Sequence, residues 1–298
     1  MSIHLANQDK DTDSIHENDD QDIEIQGMED APQESEIQGM EDAPQESESQ
    51  GMEDAPQESE SQGMEDAPQD SDSEEMEQVY DLISVRNDLV LPSENLAIAH
   101  SADEQRSEQI LGLRTELMMR RQFQDDTYMI AMLSPSAGDG RSQLAAELAI
   151  AFARLNRPTL LIDADLRNPQ QHVLFNADNK YGLSQAIKSD GIPDLHSVKN
   201  FPQLVVMTAG EIPDNPLELL SSVRFARMIE YVRNNFEYVI IDTAPVTKYS
   251  DGLLIANLIR NVLTVSRAKH TSYRSMRDML RRLRITNSQI VGGVINHF

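Results

Sequence analysis

The chain has 298 residues, with 51 Asp and Glu against 25 Lys and Arg and a formal net charge of −26. The excess is local: residues 1–80 hold 27 acids and one base, Lys10, so the charge says little about the rest, which is neutral, and no nucleic-acid partner is expected. The absence of cysteine excludes disulfides and thiolate metal or iron–sulfur sites, and no apolar run approaches the roughly 20 residues of a membrane span.

The N-terminus lacks the basic-then-apolar pattern of a signal peptide, so the expected compartment is the cytoplasm. Residues 1–76 contain a twelve-residue repeat, QGMEDAPQ and its flank, with copies starting at Gln26, Gln38, Gln50 and Gln62. Each copy carries a glycine, a proline and dense negative charge. Too little apolar surface is present to offset chain entropy, and a disordered acidic tail is expected. Residues 77–127 form an N-terminal helical or interaction segment, with a helix over Ala102–Arg121 whose Ile110, Leu113, Leu117 and Met118 lie near one face. Residues 128–298 form the main domain.

That domain alternates strands and helices. Met129–Leu133 reads as a strand and Ser142–Leu155 as a helix. Thr159–Ile162, Leu204–Met207 and Tyr238–Ile241 read as strands. Pro216–Asn234 reads as one long helix, with Pro216 suited to its first turn. A helix over Ser250–Ile259, a strand over Val262–Val265, a helix over Thr271–Ile285 and a strand over Ile290–Ile295 complete the chain. Continuous apolar strands separated by helices predict an α/β fold with a parallel sheet covered by helices on both faces. In such sheets ligands sit beyond the carboxyl ends of the strands.

The stretch Leu133–Gln143, LSPSAGDGRSQ, joins the first of these strands to a helix, as a phosphate-binding loop must. Ser136, Ala137, Gly138, Asp139, Gly140, Arg141, Ser142 and Gln143 are the candidate nucleotide-binding residues. Ser142 sits where a hydroxyl reaches a magnesium ion, and Arg141 replaces the usual lysine. Asp163 and Asp165 follow the strand Thr159–Ile162, and Asp242 follows Tyr238–Ile241. Ser142, Asp163 and Asp242 are oxygen donors of the kind magnesium takes together with substrate phosphates. A carboxylate left partly free accepts a proton from an attacking hydroxyl, which with positioning is nearly all that phosphoryl transfer requires. Arg141 keeps positive charge near the β- and γ-phosphates, although its wide planar guanidinium is not equivalent to an ammonium.

Three motifs carry a family resemblance: SPSAGDGRS (Ser134–Ser142), LLIDADLRNP (Leu160–Pro169) and VIIDTAPV (Val239–Val246). They resemble the Walker A, A′ and B motifs of the bacterial tyrosine autokinases of exopolysaccharide and capsule operons. GEIPDNPLELL (Gly210–Leu220) and GGVINHF (Gly292–Phe298) fit as well, so the similarity spans roughly residues 108–298. The resemblance implies a parallel α/β P-loop NTPase domain that transfers the ATP γ-phosphate to tyrosine with magnesium. Such transfer commonly runs between neighbouring subunits of a homo-oligomer. It also implies a membrane-embedded chain-length-determinant partner, a polysaccharide co-polymerase, that recruits the chain to the cytoplasmic face of the inner membrane. By this resemblance Ser142, Asp163 and Asp242 match the magnesium site, Arg141 the catalytic cation, and Asp163 and Asp165 the A′ acids, one of them the candidate base.

The sequence departs from the family in two further places. Members end in a tyrosine cluster, whereas the last tyrosine here is Tyr273. In the Glu-x-x-Arg-x-x-Arg oligomerisation motif Glu108 and Arg114 fit but Leu111 takes the middle arginine. Tyr80, among Glu74, Glu75, Glu77 and Asp81, is a substitute acceptor to weigh against an ordinary tyrosine. Arg274, Arg277, Arg281 and Arg284 share one helix face, read as a solvated basic face or as a dock for an acidic partner, anionic lipid or the chain's own tail. Two other readings stay open: a nucleotide-binding regulator without turnover, and an ATPase switch of the partition or septum-site kind. The signature lysine of the latter is replaced by Ser136.

Overall fold

Three runs, YMIAML, TLLID and YVIID, are buried along their whole length and form the centre of the sheet. They are strands β3 (Tyr128–Leu133), β4 (Thr159–Asp163) and β7 (Tyr238–Asp242). The computed structural model describes residues 2–4, 85–100, 103–121, 127–188 and 194–297, all within one compact unit. The acidic repeats and Tyr80 lie outside the described residues. Before β3 come β1 (Ser2–His4), β2 (Val85–Val90), α1 (Ala97–His100) and α2 (Glu104–Arg120). Between β3 and β7 come α3 (Arg141–Ala153), α4 (Gln171–Leu174), α5 (Leu183–Lys188), β5 (Leu195–Val198), β6 (Phe201–Met207), α6 (Pro216–Leu220) and α7 (Val223–Asn235). After β7 come α8 (Asp251–Ile259), β8 (Asn261–Arg267), α9 (Tyr273–Leu283) and β9 (Gln289–Asn296). Among the described residues no helix is long and apolar enough to cross a membrane.

The sheet runs β1-β9-β8-β3-β7-β4-β6-β5-β2. Its six central members, β9 to β6, are parallel, as continuous apolar strands predict. The edges differ from that expectation: β1 pairs antiparallel with β9, and β5 antiparallel with β6, with β2 parallel to β5 beyond it. β5 and β6 form a hairpin through Lys199 and Asn200, and Asn200 takes the left-handed conformation (φ 68°) that such turns favour.

Period-two alternation sends successive strand residues to opposite faces. Ile130, Met132, Leu161 and Ile240 meet α3, whose Leu148 and Phe152 join them, and behind α3 lie Leu113 and Leu117 of α2. Met129, Leu133, Ile162 and Ile241 meet Ile229 of α7, Ile255 of α8 and Met279 of α9 on the other face. Both faces are covered. Phe152 stacks on Tyr238 with ring centroids 4.4 Å apart, closing the first layer.

The single helix expected over Pro216–Asn234 is two. Pro216 and the Asn215 cap start α6, and Ser222 then turns extended (ψ 152°) and caps α7 by accepting from the Phe225 N–H. A serine pair in mid-pattern offers the backbone that alternative to helix.

Glu147 of α3 is fully buried and is met by Arg106 of α2, whose Nε donates at 2.9 and 3.0 Å and whose Nη2 donates at 2.6 Å. This bidentate pair fixes α2 on the outer side of α3. Arg106→Ala strands a buried carboxylate and should cost about 3–5 kcal/mol in urea unfolding, whereas Arg106→Met with Glu147→Leu should recover most of the loss.

Candidate active site

β3 ends at Leu133 and α3 begins at Arg141, so seven residues make the turn. Gly138 and Gly140 both take left-handed conformations (φ 83° and 82°), which bends the loop over the start of α3. Gly140, the cap residue of α3, has no side chain to satisfy the helix's first N–H groups, which are left for a ligand. A cavity of about 470 Å³ opens there, lined by Ser134, the loop from Ser136 to Gln143, Asp165, Arg167, Asn168, Gln170, Pro245, Lys248 and Tyr249.

Asp139 holds the loop from inside. Its carboxylate accepts from the Ser136 N–H at 2.9 Å and from Thr271 Oγ1 at 2.6 Å, and Asn296 Nδ2 donates to its carbonyl at 2.8 Å. On the opposite shoulder the Val246 N–H donates to Ser134 O at 3.0 Å. Gln143 lines the cavity but sends its Nε2 to Asn95 O at 2.9 Å, tying α3 to the segment before α1.

Arg141 is 6% exposed and its guanidinium is turned into the protein. Nε donates to Asp242 Oδ1 at 2.8 Å, Nη1 to Ser134 Oγ at 2.8 Å and Nη2 to Asp165 Oδ2 at 3.0 Å. The fork therefore joins the loop to the ends of β4 and β7. In this state its donors meet protein oxygens, where the sequence suggested phosphate.

The three acids are in three different environments. Asp242 is fully buried, and its other oxygen accepts from Gln171 Nε2 at 2.8 Å. Asp163 lies directly opposite it in the β4–β7 register. Asp163 does not line the cavity: one oxygen accepts from the Asp165 N–H at 3.2 Å, the other from the N–H groups of Gln170 and Gln171 at 2.9 and 2.8 Å. Burial, reinforced by the charge of Asp242, pushes its carboxyl well above the usual range, while the backbone N–H groups oppose this. Asp165 lines the cavity. Burial pushes it up to about 6, with Arg141 pulling the other way.

Gln171, Ser134, Lys248 and Tyr249 join the site without having been marked by the sequence. Gln171 is brought in by the turn that Asp163 organises, and its Nε2 also reaches Ser142 O at 3.1 Å. Arg167, the last residue of the Asp-x-Asp-x-Arg pattern, forks onto buried Asp251 at 2.6 and 3.1 Å. A hard divalent cation suits the donor chemistry of Ser142, which lines the cavity, and of Asp242, which does not line it and whose two oxygens accept from Arg141 Nε and Gln171 Nε2. Asp163, with both oxygens turned to backbone donors, lies behind them.

A glycine-rich loop between a buried strand and a helix, with carboxylates from two further parallel strands converging on its helix start, defines a P-loop nucleotide-binding domain. No protein-family model matches the sequence. The putative tyrosine-protein kinase CapB of Staphylococcus aureus is 30% identical over 195 residues, covering 64% of this chain and 83% of that protein. The tyrosine-protein kinase YwqD of Bacillus subtilis is 31% identical over 168 residues, covering 56% and 71%. Among solved structures, the chimerical protein CapA2B2 aligns with a TM-score of 0.62 at 29% identity, covering 74% of this chain and 97% of that one. The kinase domain of Escherichia coli tyrosine kinase ETK aligns at 0.63 and 25%, covering 72% and 82%. The chain belongs to the bacterial tyrosine-protein kinases.

Because Arg141 is the group that pulls Asp165 down, Arg141→Met should raise the Asp165 carboxyl above about 6. Isotope-edited NMR titration of the carboxyl carbons reads this directly.

Proposed function

We propose that the chain transfers the γ-phosphoryl group of ATP to protein tyrosine, with magnesium. In this reading it acts in exopolysaccharide or capsule assembly beside a membrane-embedded chain-length-determinant co-polymerase that recruits it to the cytoplasmic face. The observation that carries the reading is the Arg141 bridge: one side chain of the loop bonds both Asp165 and Asp242, so the three motifs meet at the start of one helix.

The roles follow from position. The N–H groups of Gly138–Ser142 cradle the β- and γ-phosphates. Arg141 exchanges its carboxylate partners for phosphate oxygens, to which a guanidinium binds bidentately. Ser142 and Asp242 hold magnesium, which supplies charge neutralisation at the phosphates. Asp165, in the cavity wall, takes the phenolic proton. Asp163 is a positioning residue that holds the turn carrying Asp165, Gln170 and Gln171.

One observation favours a second reading, a nucleotide-binding regulator without turnover: the donors of Arg141 already have protein partners. Incubation with γ-labelled ATP and magnesium, with and without the cytoplasmic segment of the co-polymerase, separates the two. Phosphotyrosine on the protein supports the kinase. Bound nucleotide with no labelled protein supports the regulator, and released phosphate alone supports an ATPase switch.

Asp165 carries a proton below about 6 and accepts one above it. With Arg141 turned to phosphate its downward pull on Asp165 is lost, so the labelling rate should rise with pH through a midpoint above about 6. Asp165→Asn should abolish the dependence and slow labelling about 10²–10⁴-fold, the range of a general base.

A further inference from the structure

We infer that Tyr249 is a phosphate acceptor of this kinase, modified within its own subunit. The inference rests on the proposed kinase reading and names a substrate of that same site.

Of the tyrosines among the described residues, Tyr249 is the one that lines the phosphate-loop cavity. Tyr128 and Tyr238 are buried in the core, Tyr231 is half-buried on α7 and does not line the cavity, and Tyr181 and Tyr273 are exposed away from it. Tyr249 is half-buried, and its backbone is tied to the turn after β7, donating from its N–H to Pro245 O at 3.1 Å. That turn is in turn registered on the loop, through Val246 N–H to Ser134 O at 3.0 Å and Thr247 N–H to Pro135 O at 3.3 Å. The ring has a fixed seat as well. The Arg167 guanidinium stacks 4.0 Å from its centroid, and Arg167 is itself clamped by Asp251, two residues beyond Tyr249.

The side of the loop matters. His270 and Thr271 bond the loop at Ala137 and Asp139 on one shoulder. The turn that carries Tyr249 is bonded to the loop at Ser134 and Pro135, and Tyr249 lines the cavity together with Asp165 and Arg167 of the A′ turn. Lys248 Nζ lies 5.0 Å from the ring centroid, so two cations, Arg167 and Lys248, pack against the ring. Holding acceptor and donor on one body turns a bimolecular transfer into a unimolecular one.

In the step, Tyr249 Oη forms a bond to the γ-phosphorus of ATP as the bond to the β–γ bridging oxygen breaks. ADP leaves with that electron pair, and the phenolic proton passes to the Asp165 carboxylate. Charge, phosphorus and proton are conserved with ATP as the donor.

Cleavage after Lys248 and Arg260 releases a peptide in which Tyr249 is the single tyrosine. The test incubates the full chain with magnesium and ATP and maps phosphate by mass spectrometry on serial dilution. Phosphate on that peptide, lost in Tyr249→Phe and formed at a rate per molecule unchanged by dilution, supports the assignment. Phosphate on other tyrosines but none on Tyr249, or a Tyr249 rate that falls with dilution, overturns it and leaves the kinase reading standing. No phosphotyrosine on the chain or on an added tyrosine polymer overturns both. A second readout needs no turnover: ADP alone should protect Tyr249 from nitration by tetranitromethane. Undiminished nitration would place the phenol outside the phosphate channel and overturn the assignment.

Discussion

Three carboxyl groups at the ends of two neighbouring strands are tolerable only if their charge is cancelled, and one guanidinium does most of this. Asp163 and Asp242 face each other across β4 and β7, and Asp165 follows two residues later. Fully ionised, these groups would repel strongly in a medium that water does not reach. The structure resolves the conflict in two ways. Arg141 bridges Asp242 and Asp165, and Asp163 is pushed toward its neutral form by burial and by Asp242. The cluster then sets one guanidinium between two carboxyl groups, of which Asp165 is pushed up to about 6.

Binding of phosphate changes that balance. If Arg141 turns to phosphate, Asp242 and Asp165 lose their cation, and a fully buried carboxylate left alone is costly. On the proposed reading, a replacement cation would then offset the charge that Arg141 leaves behind, which would couple its binding to that of nucleotide. The planar fork explains why an arginine can occupy this place: it reaches a hydroxyl and two carboxylates in different directions at once, where an ammonium on a shorter, rotating stem offers a point charge. The same breadth is what phosphate must compete against.

The central sheet was legible because its strands are uninterrupted apolar runs, and the loop because glycines at Gly138 and Gly140 serve a backbone need that few other residues meet. The edges were not legible. Val85–Val90 carries Arg86, Asn87 and Asp88, a polar pattern suited to an edge strand and indistinguishable from a loop, and Leu195–Val198 is too short to show a period. Residue identity also could not reveal direction. Asp163 and Asp165 look equivalent in the motif, yet both oxygens of Asp163 accept from backbone N–H groups, whereas Asp165 gives one oxygen to the Arg167 and Asn168 N–H groups and the other to Arg141 at the cavity wall. Gln171 had no signal at all, because what makes it functional is a turn folding back onto Asp242 from 71 residues away in sequence.

The way the loop is anchored determines which parts respond to a ligand. One shoulder is bonded to Thr271 and Asn296, the other to Val246 and Thr247, and Asp139 braces it internally. Arg282 of α9 adds a further tie by donating to Val246 O and Ser250 Oγ, so one arginine of that basic helix acts inward while Arg281 pairs at the surface with Asp278. A backbone held at so many points is a rigid cradle, and pre-organised N–H groups need no rearrangement when charge arrives. Of the cavity-lining side chains on the turn before α8 the exposed one is Lys248, whereas Tyr249 is seated under Arg167 and Arg141 is buried against its oxygen partners. The cavity wall that carries Asp165 is therefore set against a loop whose backbone is already fixed on both shoulders.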